Sequence, residues 1–197
     1  MTRTIQKTLF LLGLATGAMA PALAQADPFN GAYAGVEAGW EDTRGSIGSG
    51  LSYGALLGYN AKVGEQFVVG LEGKIGLSTA DYELTRTIAG GTIAEDGKAG
   101  RSLGIAGRAG FLASPSTLFY GKVGYENVRT KIEQVNTPTG GTPTTTNLGF
   151  NTDAVVLGLG VEHAFTDRVS LRVGYDYTDG KAGFRRNAVK TGLVFNF

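Results

Sequence analysis

Eight stretches of this chain alternate in character at every second residue, and in the central part of each one face carries no charge at all. They are approximately Gly31–Glu41, Leu51–Lys62, Gln66–Ser78, Arg101–Ala113, Leu118–Val128, Thr152–Phe165, Val169–Thr178 and Arg186–Phe197. Successive side chains of a strand point to opposite sides, so each stretch reads as a strand with two opposed chemistries. The first face holds residues such as Val36, Ala38 and Trp40, then Tyr53, Leu57 and Tyr59, and so on to Leu193, Phe195 and Phe197. The second holds glycines together with Glu37, Glu72, Lys74, Arg108, Lys122, Glu126, Glu162, Arg172, Asp176 and Lys190.

Space decides which face turns inward. Eight strands closed into a cylinder enclose an interior only just wide enough for side chains, and the many aromatic and leucine side chains of the first face would overfill it. The second face fits, because its glycines leave room for long charged side chains. Glycine makes up 32 of 197 residues, more than twice the ~7% of an average protein. Each one inside a helix costs about 1 kcal/mol relative to alanine, so long helices are disfavoured.

Past the first 26 residues no apolar run approaches the ~18 residues or more that a spanning helix needs. An apolar exterior on strands then requires a closed sheet, since open edges are not tolerated in hydrocarbon. The predicted fold is all-β: an eight-stranded antiparallel up-and-down transmembrane β-barrel over residues 27–197, its ten inward charges forming a lumen ion-pair network.

The connections support this. KVGEQ, SPST and TDR are short, whereas DTRGSIGSG and the stretches Thr79–Gly100 and Arg129–Phe150 are long. Tight turns at one end and long loops at the other are the pattern of an outer-membrane barrel. Tyr59, Phe67, Phe119 and Phe165 cluster near the short-turn end, as an interfacial aromatic girdle does. The threonine-rich NTPTGGTPTTTN is expected to be a mobile loop.

Residues 1–26 read as a signal peptide: Arg3 and Lys7, then the apolar TLFLLGLATGAMA, then small residues around Ala22–Ala26. The exported chain is predicted to begin near Asp27. Lys and Arg total 18 against 17 Asp and Glu, with no long run of one sign, so nucleic acid is not an expected partner. Cysteine is absent, which excludes thiolate chemistry and disulfides.

No catalytic, cofactor or metal site is predicted. A hydrolase needs a base beside its nucleophile, and His163, the one histidine, falls on the uncharged face near a short turn. A single histidine without cysteine offers no zinc cluster.

The turns set inward pairs. If TDR turns near Asp167, Glu162 and Arg172 stand opposite each other; if SPST turns near Pro115, Arg108 meets Lys122, two like charges that demand an acid from across the lumen, Glu72 or Glu37. The long loops carry Tyr82, Arg86, Lys98, Lys131 and Glu133, and Arg101, Arg185 and Arg186 are candidate rim bases for lipopolysaccharide.

The pieces YGALLGYN, FVVGLEGKIG, GRAGF with SPSTLFYGKVGY, LGLGVEHAFTDRVSLRVGYDYTD and VKTGLVFNF resemble the small eight-stranded outer-membrane barrels of the OmpA/OmpX-type superfamily, porin-family proteins of Gram-negative bacteria built from the barrel domain alone. The resemblance implies residence in the cell outer membrane among lipids and lipopolysaccharide. It also implies insertion by the barrel-assembly machinery, with Phe195 and Phe197 as part of the signal, and a structural and surface-display role. The alternatives are a narrow porin-like channel for ions or small solutes, and an adhesin whose long loops bind host or phage ligands.

Overall fold

The computed structural model describes residues 27–44 and 48–197; the expected signal peptide, residues 1–26, lies outside them. The strands are β1 (Gly31–Arg44), β2 (Ser49–Val63), β3 (Phe67–Ser78), β4 (Asp81–Ile88), β5 (Gly91–Ser114), β6 (Thr117–Pro138), β7 (Thr144–Ala164), β8 (Val169–Gly180) and β9 (Arg185–Asn196). All neighbours are antiparallel. Eight of the nine form a ring: β1-β2-β3 continues into β5 through β9, and β9 pairs back onto β1 from Tyr33↔Asn196 to Arg44↔Arg185. Closure leaves the wall without an edge, as a sheet in hydrocarbon requires.

The ninth strand corrects the loop assignment. β5, β6 and β7 run 24, 22 and 21 residues, about twice the ~9–11 that cross a bilayer. Thr79–Gly100 and Arg129–Phe150, expected as loops, are instead largely paired backbone. β4 pairs with the upper half of β5, β5 with upper β6, and β6 with upper β7. The result is a four-stranded crown that continues one side of the barrel beyond its rim. The cause is local: Thr85, Ile93, Ile132, Val135 and Thr144–Thr146 suit strands, the β5–β6 and β6–β7 ladders extend ones already started in the wall, and β4 takes the side of β5 that β3 leaves. The threonine-rich segment narrows to a turn over residues 139–143, with Gly140 at φ +75°.

Between Ala99 and Ser102 the β5–β6 register shifts, so Gly100 and Arg101 together face Arg129. This bulge reverses the parity of β5: Ser102 and Arg108 point inward below it, while above it Lys98 joins the outer face beside Lys131.

At the opposite end the turns are tight: 64–66, 115–116 and 165–168. The lumen there is apolar, with Val68, Leu112, Leu118, Tyr120 and Ala164 buried together.

Candidate functional site

The inward faces converge on a lumen in three layers. Nearest the tight turns, Tyr33 and Tyr120 lie across the bore beside Gly58 and Gly160. A methyl group on Gly160 would sit 2.6 Å from the Tyr120 Oη, so the ring needs that glycine. Above the rings come Arg108 and Arg172 with Glu72 and Glu162. Arg108 Nη2 donates to Glu162 Oε2 at 3.0 Å and Arg172 Nη2 to the same oxygen at 3.0 Å. Arg172 Nη1 reaches Glu72, whose Oε2 also accepts from Tyr33 Oη at 2.9 Å. The Arg108 guanidinium is 4.2 Å from the Tyr120 ring centroid, a cation–π contact in a dry setting.

The middle layer is lysine-rich. Lys122 lies 2.9 Å from Asp176, Lys190 2.9 Å from Glu37, and Lys74 3.5 Å from Glu126 and 3.6 Å from Asp176. At the top Arg186 Nη2 is 2.7 Å from Glu126, its Nε 3.8 Å from Glu41, and Ser78 donates to Glu41.

All ten sequence-predicted inward charges therefore meet in the lumen. The expected register also appears: Glu162 faces Arg172 across β7 and β8, and Arg108 faces Lys122 across β5 and β6. The acid nearest Arg108 differs from expectation. Glu162 is at 3.0 Å and Glu72 at 3.9 Å, while Glu37 pairs with Lys190.

Two members were not foreseen. Glu41 is buried and joins the top layer, and Arg186, expected on the rim, is only 5% exposed and points inward. β1 and β9 remain paired as far as Arg44 and Arg185, so the alternation that puts Lys190 inside puts Arg186 there too. Carrying the parity of Lys190 to the first residue of the stretch Arg186–Phe197 would have found it.

A second omission is Phe29. It precedes the first strand, has no periodic partner, and is fully buried against Val68, Leu112, Leu118, Tyr120 and Ala164. The short segment Asp27–Asn30 turns Phe29 into the tight-turn mouth and is tied down by Lys62. Its Nζ lies 2.6 Å from Asp27, and its backbone N donates to Asn30 Oδ1 at 3.2 Å. The lumen is thus closed in series, by an apolar plug and by charge pairs above it.

On the outer wall Tyr59, Phe67, Phe119, Phe165, Phe195 and Phe197 are all more than half exposed near the tight-turn end. A second set, Trp40, Tyr53 and Tyr125, is exposed toward the other boundary. His163 sits on this outer wall, Nδ1 2.9 Å from Thr117 Oγ1, its ring edge-on to Phe165 at 5.1 Å.

A model of the outer membrane protein beta-barrel domain family matches residues 9–197. No curated protein sequence matches the chain. Similar solved structures include Ail, the attachment invasion locus protein of Yersinia pestis, at 14% identity, covering 85% of this chain and 99% of that one with a TM-score of 0.51. Neisserial surface protein A is 14% identical over 85% and 98%, TM-score 0.48. The N-terminal β-barrel domain of Pseudomonas aeruginosa OprF is 16% identical over 84% and 97%, TM-score 0.38. At such identities the likeness to Ail establishes the fold alone.

Proposed function

From the premise that this chain belongs to the outer membrane protein beta-barrel domain family and resides in the outer membrane, we propose that it is a closed, structural barrel that reinforces the membrane and displays the crown on the cell surface. The observation that supports this is the double closure of the lumen. Phe29 fills the periplasmic mouth, and above it the carboxylates of Glu37, Glu41, Glu72, Glu126, Glu162 and Asp176 neutralise the six inward bases within about one side-chain length. Water-filled conduction belongs to wider barrels of 16–18 strands.

In this role the ten predicted charges and the added Glu41–Arg186 pair are a space-filling core. Tyr59, Phe67, Phe119 and Phe165 serve as the periplasmic interfacial girdle. Phe195 and Phe197 serve in recognition by the barrel-assembly machinery, and residues 1–26 as the removed leader. The four-stranded crown is where a host or phage ligand would bind, and no catalytic step is assigned. Planar-bilayer recording on the purified barrel tests the closed state. A silent bilayer is expected, and discrete reproducible openings would replace this role with that of a narrow channel.

A further inference from the structure

One joint of the ring is unlike the others. β1 and β9 are the first and last strands of the wall, so no turn or loop ties them together, whereas every other pair of wall neighbours is joined by chain, directly or through β4. Their ladder, from Tyr33↔Asn196 to Arg44↔Arg185, holds by its own hydrogen bonds and side-chain contacts. A contact between chain ends closes the longest loop and so costs the most closure entropy. Parting it opens the cylinder without stretching any turn. At its tight-turn end the ladder finishes with the Phe197 amide donating to the Ala32 carbonyl at 2.9 Å.

A small turn guards that end. The Asn30 amide donates to the Asp27 carbonyl at 3.0 Å and the Phe29 amide to Asp27 Oδ1 at 3.1 Å. Pro28 stands between them at the second turn position, which its fixed φ suits. Lys62, near the end of β2, holds the turn from outside, its Nζ on Asp27 and its amide on Asn30 Oδ1. Gly31, at φ +137°, is the pivot between wall and bore, and a Cβ there would lie 3.1 Å from the Phe197 carbonyl. From this pivot Phe29 reaches the far side. The buried cluster it joins comes from Val68 on β3, Leu112 on β5, Leu118 and Tyr120 on β6 and Ala164 on β7, and β5 and β6 lie half a turn of the ring from the β1–β9 joint.

We propose that the turn Asp27–Asn30 is a latch on this joint: Phe29, seated across the bore, must leave before β1 can part from β9, so the latch sets how fast the closed barrel opens. The reach of the chain requires it. Phe29 is two residues from the start of β1, and extended chain spans at most about 3.6 Å per residue, so a β1 displaced by more than a side-chain width drags the ring out of its cluster. Seating is likewise late, because the cluster draws on four strands that must already stand around the bore. Contacts that form after the folding barrier slow unfolding and leave the folding rate alone. Lys62 acts through the turn and is a positioning residue. The side chain that stoppers the mouth thus also locks the wall.

The test uses the refolded full barrel in lipid vesicles, with folding and unfolding rates in urea read from heat-modifiable gel migration. Phe29→Ala is expected to unfold roughly a hundredfold faster while folding within about twofold of the parent's rate. Lys62→Gln, which loosens the turn and leaves Phe29 in place, should unfold about threefold faster. A buried ring with no latch role would also speed unfolding when truncated, so a second arm separates the two. The chain has no cysteine, and Ala38→Cys with Thr191→Cys places a single thiol pair directly across the joint on the outer face. Oxidised, the pair bolts the joint, and Phe29→Ala should then unfold within about threefold of the same bolted barrel that keeps Phe29. Reduced, the full difference should return. Equal acceleration with the bolt closed and open overturns the latch, as does a folding rate slowed as much as unfolding is quickened. Phe29→Leu, which keeps an apolar side chain in the mouth, gives the same comparison at smaller amplitude where Phe29→Ala does not refold.

Discussion

Arg108 on β5 and Lys122 on β6 stand directly opposite each other inside the barrel, yet each is neutralised by a strand farther round the ring. The guanidinium lies 3.0 Å from Glu162 on β7 and the ammonium 2.9 Å from Asp176 on β8. Two neighbouring strands that would repel one another are thus neutralised by carboxylates on β7 and β8, and the charge pairs act as cross-braces of the cylinder.

Glu72 is the most connected acid of the lower layer, touching Arg172, Arg108, Lys122 and the Tyr33 hydroxyl. Glu72→Gln leaves two buried guanidinium groups sharing one carboxylate, and breaking such a pair costs about 3–5 kcal/mol. Thermal melting in detergent should fall well below that of Glu133→Gln, whose side chain is exposed on the crown. Equal melting temperatures would remove the brace role.

The plug and the charge layer close the bore independently. Phe29→Ala should destabilise by about 3–5 kcal/mol, as large-to-small changes of a buried phenylalanine do, and still give a silent bilayer, because the arginine layer remains. Phe29→Ala combined with Arg108→Ala and Glu162→Ala should show discrete openings. Openings in Phe29→Ala alone would mean that the charge layer does not seal.

Glycines on the two faces of the wall should respond oppositely to a methyl group. At Gly160 a Cβ would meet Tyr120 Oη at 2.6 Å and the Val173 carbonyl at 2.7 Å, so Gly160→Ala displaces the ring and should cost about 1–3 kcal/mol. At Gly107 on the outer face the nearest atom is the Val123 carbonyl at 4.0 Å, and Gly107→Ala should melt with the parent. Urea titration of refolded protein compares the two, and a larger loss at Gly107 would contradict the packing.

The crown should be separable from the barrel. Removing Thr85–Ala94 takes away most of the β4–β5 hairpin, whose pairs to β6 lie above the rim. The shortened protein should still show heat-modifiable migration and keep its melting temperature within roughly the few degrees that a change near 1 kcal/mol produces. Loss of folding would make the crown part of the core. Cell adhesion measured with the same variant reports whether the displayed hairpin carries a ligand site.

Much of this was legible because barrel strands obey a local rule. Val36 faces out and Glu37 faces in for reasons contained in two adjacent residues, and Glu162 meets Arg172 because both can be counted outward from the same tight turn. The crown was less legible: its threonines and glycines resemble a loop until neighbouring strands supply partners for their backbone groups. Arg186 was placed on the rim because it stands first in its stretch, whereas β1 and β9 stay paired through it and the alternation carries it inward.

Period, glycine content and the asymmetry of turn lengths, all short-range properties, determined by themselves that the chain is a β-barrel with greasy walls and a charged lumen. Only the closed cylinder decided that Arg172 reaches Glu72 across 100 residues of chain, that Arg108 takes Glu162, and that Phe29 stoppers the mouth. Those contacts cross the bore or enter it from outside the ring. The partner of an inward side chain depends on the barrel's girth and stagger, which no single strand or hairpin contains.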